Sequence, residues 1–390
     1  MLPLLLFFLS SPNSPTEILQ RGLAALQRGE LAQARASFDE VTKKDPRNPY
    51  AWASLAETYA RLKEPKSADA AAQKAEQFGG QIPAIDHALA IYYSKRGEFA
   101  RAAAMEQKFA VSDKADPAAL ERTAALYLNA GLLPEAAATA EKARQEHPSA
   151  GADNVLGRAL IAQGKAVEGE SYLHAAWLAD KNDANFSFDY SQVLLRQQDF
   201  DRAAEVLAAA LLAHPDDVQL ILAQGVARYG QRRFEDAISA FLRVIRIDPQ
   251  VERPYLFLGR MLDQAGSHLA EITSVYEQWS ARNPRNAAGL LLLAKARLAS
   301  DSKDQTVEAL LRKSIALDGA NWEAHYELGV LLEGKRDWMA AATELRRSAE
   351  LDTAQATPHY HLARVYDRLG EGEKAKAERE LHAKLTSPAN

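Results

Sequence analysis

The sequence predicts an all-α fold made of about eleven stacked helix-turn-helix units, an α-solenoid with a right-handed superhelical course. Small, aromatic and proline residues recur with a period of about 34 residues along the 390-residue chain. Alanine, the best helix former, is abundant, and no hairpin signal joins two alternating runs of Val, Ile and Thr. None of the 16 prolines interrupts the interior of a predicted helix, where each would cost about 3 kcal/mol.

The small residues of the repeat have a packing role. Two helices reach the usual spacing of about 8–10 Å only when short side chains lie at their crossing point. We expect the following residues at such crossings: Gly22, Gly157, Gly225, Gly259, Gly329, Ala34, Ala68, Ala136, Ala203, Ala237 and Ala341. Aromatic side chains are expected to fill the space between neighbouring helix pairs; these are Phe38, Trp52, Tyr59, Phe241 and Tyr276.

Prolines mark the predicted helix ends. Four of them fall in the first turn of a helix, where no backbone hydrogen bond is lost: Pro65, Pro134, Pro254 and Pro358. Another eight fall at predicted unit junctions: Pro46, Pro49, Pro83, Pro117, Pro148, Pro215, Pro249 and Pro284.

Together these positions resemble the tetratricopeptide repeat family, with its W-x2-L-G-x2-Y, A-x3-F and final proline spacing. The resemblance extends over nearly the whole chain. It implies a continuous array over 15–388, with units near 15–48, 49–82, 83–116, 117–149, 150–183, 184–217, 218–251, 252–285, 286–319, 322–355 and 356–388. The unit at 286–319 fits worst, because its inner turn is long and Gly319 replaces the usual proline. We expect it to be the most mobile internal unit.

Composition limits the classes of partner. The chain carries a net charge of −5 and is 47% hydrophobic and 25% charged, so the overall charge does not favour nucleic acid. There is no cysteine, which excludes disulfides and thiolate metal ligands. Protein or peptide partners are expected, without a cofactor.

Residues 1–14 differ from the rest of the chain. Leu2 to Leu9 is apolar except for Pro3, a run too short for a membrane span of about 20 residues. It matches the core of a secretory signal peptide, although no basic residue precedes it. If it acts as a signal, the protein is exported to the periplasm or secreted; if it is an uncleaved apolar tail, the protein is cytoplasmic.

Catalytic signals are absent from the sequence. There is no Gly-rich phosphate loop, H-E-x-x-H helix or G-x-S-x-G elbow. His359 and His361 are two residues apart on a predicted helix and so point to different faces, which argues against a shared metal. We therefore expect no enzyme activity, no catalytic residues and no metal site.

In proteins that this sequence resembles, the first helix of each unit lines a concave groove. Carrying those positions over predicts a partner-binding set in the middle of the chain: Asn154, Arg158, Phe188, Gln192, Arg196, Tyr229, Arg253, Arg260 and Asp263. Amides can bind a peptide backbone, arginines bind carboxylates and aromatics supply contact area. The alternative is that these side chains are simply solvated.

Three functional hypotheses follow. The first is a non-enzymatic scaffold or adaptor that binds protein or peptide partners along its groove, in an extracytoplasmic bacterial assembly. The second is a cytoplasmic regulatory adaptor subunit. The third is the repeat region of a larger enzyme complex; it is disfavoured because the repeats leave no room for a catalytic domain of roughly 100 residues.

Overall fold

A computed structural model describes residues 14–80, 82–112 and 116–387. These residues form 22 α-helices and contain no strand, so the predicted all-α class is confirmed. The signal or tail predicted for residues 1–14 lies, apart from Ser14, outside the described residues. The chain divides into two compact units, Met1–Tyr190 and Ser191–Asn390.

The N-terminal unit contains ten complete helices and most of an eleventh. They are α1 (Pro15–Gln27), α2 (Leu31–Lys44), α3 (Pro49–Arg61), α4 (Pro65–Gly79), α5 (Pro83–Lys95), α6 (Phe99–Ser112), α7 (Ala119–Asn129), α8 (Leu133–Glu146), α9 (Ala150–Ala162), α10 (Ala166–Ala179) and α11 (Ala184–Arg196). In this unit each odd-numbered helix from α1 to α9 packs mainly on the helix that follows it.

The C-terminal unit holds the end of α11 and the remaining helices. They are α12 (Phe200–Ala213), α13 (Val218–Gly230), α14 (Phe234–Ile247), α15 (Arg253–Gly259), α16 (Leu269–Arg282), α17 (Ala287–Ser300), α18 (Val307–Leu317), α19 (Trp322–Gly334), α20 (Trp338–Leu351), α21 (Thr357–Leu369) and α22 (Gly372–Thr386). The pairs α13/α14, α17/α18, α19/α20 and α21/α22 pack closely.

Prolines and side-chain caps are found at the starts of many helices. Pro65, Pro134, Pro254 and Pro358 all lie in the first turn of a helix, as predicted. Several other helices begin with a side-chain cap that accepts a backbone N–H; the caps include Asn48, Ser149, Asp217, Asn286 and Asn321. Such caps satisfy amides that have no partner within the helix.

The predicted close contacts at glycine are present within the hairpins. A Cβ built on Gly22 would lie 2.4 Å from the Phe38 ring, and one on Gly225 would lie 2.6 Å from the Phe241 ring. Phe38 and Phe241 are fully buried, so larger residues at these glycines would displace core aromatics. Tyr276 is also fully buried, whereas Trp52 and Tyr59 are only partly buried against the core.

Residues 252–285 depart from the regular hairpin. The first helix, α15, has only 7 residues and ends at Gly259. Two short 3₁₀ helices follow, Leu262–Gln264 and Gly266–His268, and Gly266 has a φ of 49°. A Cβ on Gly259 would lie 2.3 Å from Leu292 of α17. The absence of a side chain at Gly259 therefore permits a close contact with the next hairpin. The sequence pattern did not predict the interruption after α15.

Side chains still join α15 to α16. The hydroxyl of Tyr276 donates to the carbonyl of Tyr255 at 2.8 Å, and the Tyr255 and Trp279 rings stack at 4.4 Å. By contrast, residues 286–319 form an ordinary pair, α17 and α18, despite their longer turn.

Candidate partner-binding clefts

Two predicted groove residues of the N-terminal unit, Asn154 and Arg158, contact one carboxylate. Asn154 on α9 donates from Nδ2 to Oδ2 of Asp189 on α11 at 3.0 Å, and Nε of Arg158 lies 3.7 Å from the same oxygen. Asn154 is buried, whereas the Arg158 side chain is 42% exposed. The amide of Asn154 is thus engaged within the protein, and Arg158 is the accessible member of the cluster.

Asp189 has an unusual environment for a carboxylate. Burial raises its pKa above the ordinary value, while Arg158 and the hydrogen bond from Asn154 act in the opposite direction. The sequence prediction did not include Asp189, because its partners lie one repeat earlier in the chain.

The remaining predicted residues on α11 differ in exposure. Phe188 and Gln192 are half-buried, and Arg196 is exposed at the helix end. Phe188 belongs to the N-terminal unit, and Gln192 and Arg196 belong to the C-terminal unit.

Tyr229 on α13 contacts α15 through an aromatic pair. Tyr229 is half-buried and meets Phe257 edge-on, with ring centroids 5.8 Å apart. The guanidinium of Arg260 lies 5.7 Å from the centroid of the Phe257 ring, within the range of a cation–π contact. Arg253 is exposed at the start of α15.

The early end of α15 borders a cleft of about 510 Å³, which we call the C-terminal cleft. Its lining comes from α15, the first 3₁₀ helix, α17 and the start of α19: Leu256, Gly259, Arg260, Leu262, Asp263, Ala288, Leu291, Leu292, Lys295, Asn321 and Glu323. Two predicted residues, Arg260 and Asp263, therefore lie at the same cleft. Lys295 and Glu323 were not among the predicted site residues, and they fall in later repeats.

Some charged side chains at the C-terminal cleft form ion pairs and others do not. Lys295 forms an ion pair with Glu323. Its Nζ also lies 4.0 Å from Oε1 of Glu327, which is on α19 as well. Burial raises the pKa of Glu327; Lys295 opposes this effect, whereas Glu323 and Asp263 add to it. Asp263 is exposed, and no ion pair or side-chain hydrogen bond is found for it among the described residues.

A second cleft, in the N-terminal unit, has an excess of basic side chains in its lining. This basic cleft has a volume of about 340 Å³ and is lined by Glu57, Ala60, Arg61, Lys63, Pro65, Tyr92, Lys95 and Arg96. Glu57 accepts from Arg61 at 2.9 Å and from Lys95 at 3.1 Å. Burial opposes its ionisation, but these bonds hold the pKa of Glu57 below its usual range.

His359 and His361 have separate partners, as their spacing predicted. Nδ1 of His359 lies 2.6 Å from Glu378, and Nδ1 of His361 lies 2.5 Å from Glu333. Over the described parts of the chain, no group of three or more His, Asp or Glu side chains has an arrangement that could hold a metal. Nor does any helix there have the length and apolar character needed to cross a bilayer.

Comparison with known proteins identifies the class. The tetratricopeptide repeat family model matches residues 19–81, 154–218, 188–252 and 222–287, which together make up about half of the chain. The chain belongs to the tetratricopeptide repeat family.

One curated relative is the peroxisomal targeting signal receptor of Candida albicans, 25% identical over 258 residues. The match covers 65% of this chain and 38% of that receptor. This chain therefore matches well under half of the relative's length.

Three solved structures are similar to this chain at low identity. The human IFIT1 dimer with m7Gppp-AAAA is 17% identical, with a TM-score of 0.43, and the match covers 98% of this chain and 92% of that one. Yeast Tom70 is 12% identical, with a TM-score of 0.42, and the corresponding shares are 96% and 92%. Pseudomonas aeruginosa pilF is 16% identical, with a TM-score of 0.42, and the shares are 63% and 97%.

Proposed function

We propose that this protein is a non-enzymatic scaffold that binds segments of partner proteins, and that the C-terminal cleft is one of its binding surfaces. The observation that supports this most directly is the cleft itself. Its lining combines apolar and charged side chains, which provide both contact area and orientation for an extended segment. The name of the Candida albicans relative, a receptor for a targeting signal, is in keeping with recognition of a protein segment.

Two predicted arginines provide the test. Arg158 lies beside Asp189 in the N-terminal unit, and Arg260 lies at the C-terminal cleft. We expect the substitutions Arg158→Glu and Arg260→Glu to reduce partner retention when the full chain is used for affinity capture from its native host. Arg312→Glu serves as a matched control, since Arg312 is an exposed arginine on α18. Equal retention by the wild type and all three variants would contradict the proposal.

We propose the cellular location of the protein from its N-terminal sequence. The apolar run from Leu2 to Leu9 supports an extracytoplasmic role in a bacterial assembly. Fractionation of the native host, with N-terminal sequencing of the recovered protein, tests this. A cytoplasmic protein with an intact N-terminus would favour the regulatory adaptor instead, and stable co-purification with a catalytic subunit would favour the enzyme-complex alternative.

A further inference from the structure

The basic cleft of the N-terminal unit carries more positive than negative charge in its lining. Four cations, those of Arg61, Lys63, Lys95 and Arg96, line it together with one carboxylate, that of Glu57. Arg61 and Lys95 both donate to this carboxylate, at 2.9 and 3.1 Å. These two cations therefore share a single negative charge, although both side chains remain exposed.

Arg96, by contrast, has carboxylate partners of its own. It forms ion pairs with Glu98 at 2.8 Å and with Asp69 at 3.3 Å, and neither of these residues belongs to the lining of the cleft. Its guanidinium also lies 5.7 Å from the ring centroid of Tyr92. The charge of Arg96 is therefore balanced, and the positive excess of the cleft comes from the other three cations.

Lys63 is a cation without a partner. Its side chain is exposed, and no ion pair or side-chain hydrogen bond is found for it in the described part of the chain. The carboxylate of the next residue, Glu64, pairs with Arg35 at 3.2 Å instead. An incoming anion thus meets one unpaired cation and two cations that share the carboxylate of Glu57.

The backbone of Lys63 adopts a conformation that favours glycine. Lys63 lies in the turn between α3 and α4 with a φ of 61°, in the left-handed region where a residue with a side chain is strained. Glycine occupies the corresponding turn position of five other hairpins: Gly29, Gly97, Gly131, Gly164 and Gly370. In three further turns the position is taken by Gln198, Arg232 and Arg336. Of the four residues that have a side chain at this position, Lys63 is the one that lines the basic cleft.

Helix chemistry accounts for two of the cations but not for Lys63. Arg61 and Lys95 lie in the last turns of α3 and α5, where a positive charge interacts favourably with the helix dipole. Lys63 lies outside both helices. Its side chain is present at a conformational cost, and proteins keep such strained positions mainly where they serve binding or catalysis.

We propose that the basic cleft binds a run of aspartate and glutamate side chains in a partner protein. One carboxylate of that run pairs with Lys63, and another competes with Glu57 for Arg61 and Lys95. Carboxylates suit the cleft because it already holds one, that of Glu57, between an arginine and a lysine. This inference rests on the proposed function, and it adds to the C-terminal cleft a second surface with a defined partner chemistry.

The first test compares two peptides on the full-length chain. A capped, fluorescein-labelled hexapeptide of alternating glutamate and aspartate is titrated by fluorescence polarisation. The matching peptide of glutamine and asparagine has a similar shape without the charge, and should bind about tenfold more weakly. Raising the salt concentration should also weaken binding of the acidic peptide. Equal affinity for the two peptides would overturn the proposal.

The variant Lys63→Gly separates binding from folding. Glycine removes the cation and adopts the left-handed conformation without strain. The affinity for the acidic peptide should therefore fall about fivefold, while the thermal unfolding midpoint stays the same or rises. Arg336→Gly is the matched control, because Arg336 is exposed at the same turn position, with a φ of 62°, and does not line the cleft. If the two variants change the affinity equally, or if neither changes it, the proposal is wrong.

A second variant is expected to have the opposite effect. Glu57→Gln keeps the size of the side chain but removes the internal carboxylate that Arg61 and Lys95 share. The acidic peptide should then bind about threefold more tightly, because it no longer competes with that carboxylate. Unchanged or weaker binding would overturn the proposal. Circular dichroism checks that the variant is folded.

A final titration distinguishes a protein segment from another polyanion. If a single-stranded oligonucleotide of the same charge binds more tightly than the acidic peptide, and loses affinity in Lys63→Gly, the proposal is overturned in favour of a nucleic-acid site. The proposed function is judged separately, by host-partner capture with Arg158→Glu and Arg260→Glu, because neither of these arginines lines the basic cleft.

Discussion

His325 and Glu344 link the two helices of one hairpin, with Nδ1 of the histidine 2.6 Å from Oε2 of the glutamate. The same pair recurs one repeat later as His359 and Glu378, also at 2.6 Å. It is present in the N-terminal unit as His87 and Glu106, at 2.8 Å. In all three the histidine precedes the glutamate by 19 residues. A single polar contact is therefore reused at the same position of the repeat.

Removal of this contact should cost stability. His325 is only 7% exposed, so Glu344→Ala leaves a buried ring nitrogen without its main partner. We expect the free energy of unfolding to fall by about 1–3 kcal/mol, measured by chemical denaturation. Glu350→Ala on the same helix is the control, because its ion pair with Arg347 is exposed and should contribute less than about 1 kcal/mol. Equal effects of the two variants would argue against a structural role for the pair.

The glycine contacts predict a contrast between two alanine substitutions. In Gly225→Ala, the new methyl group would lie 2.6 Å from the Phe241 ring, and overpacking should destabilise the protein by about 1–3 kcal/mol. Gly334, at the end of α19, has nothing within 4 Å of a built Cβ. Gly334→Ala should leave stability unchanged or raise it by up to about 1 kcal/mol, because alanine is the better helix former. Similar unfolding midpoints for both variants would refute the close-contact explanation.

The raised pKa of Asp189 predicts the direction in which stability changes with pH. Its folded-state pKa is raised above the ordinary value, mainly by burial, so the folded protein binds this proton more tightly than the unfolded chain does. The resulting stabilisation is present below the unfolded pKa and is lost as the pH rises through the folded pKa. Comparison of the wild type with Asp189→Asn over this range should therefore show the wild type losing stability relative to the variant. A difference that is constant with pH would contradict the assignment.

Hydrogen exchange distinguishes two candidates for the most mobile internal segment. The sequence predicts residues 286–319, because of their long turn. In the structure, side chains of Asp301 and Asp304 accept amide hydrogens of that turn, and Arg297 bonds to Thr306. Residues 260–268 instead form two short 3₁₀ helices, which have poorer hydrogen-bond geometry. We expect exchange to be faster at 260–268; faster exchange at 301–306 would support the sequence prediction.

Much of the architecture could be predicted from the sequence because the repeat is encoded by local rules. Prolines such as Pro65 and Pro358 lie where a helix begins, and glycines such as Gly22 lie where helices touch. The interruption after Gly259 could not be predicted. That glycine fits the repeat pattern, but its close neighbour is Leu292 in the next hairpin.

The candidate sites were predicted less completely, because their partners come from other repeats. The sequence singled out Arg260 and Asp263 but not Lys295 or Glu323, which complete the same cleft. It treated Asn154 as available to a partner, whereas the structure pairs its amide with Asp189. A periodic pattern indicates which side chains form the core, but it does not determine how surface charges pair between repeats.

The most direct test of the binding account is hydrogen–deuterium exchange of the full chain with and without a captured partner. We predict that the partner slows exchange in peptides from α15, the adjoining 3₁₀ helices, α17 and the start of α19, which line the C-terminal cleft. Exchange that is slowed only in other helices, or not slowed at all while the partner remains bound, would contradict the account.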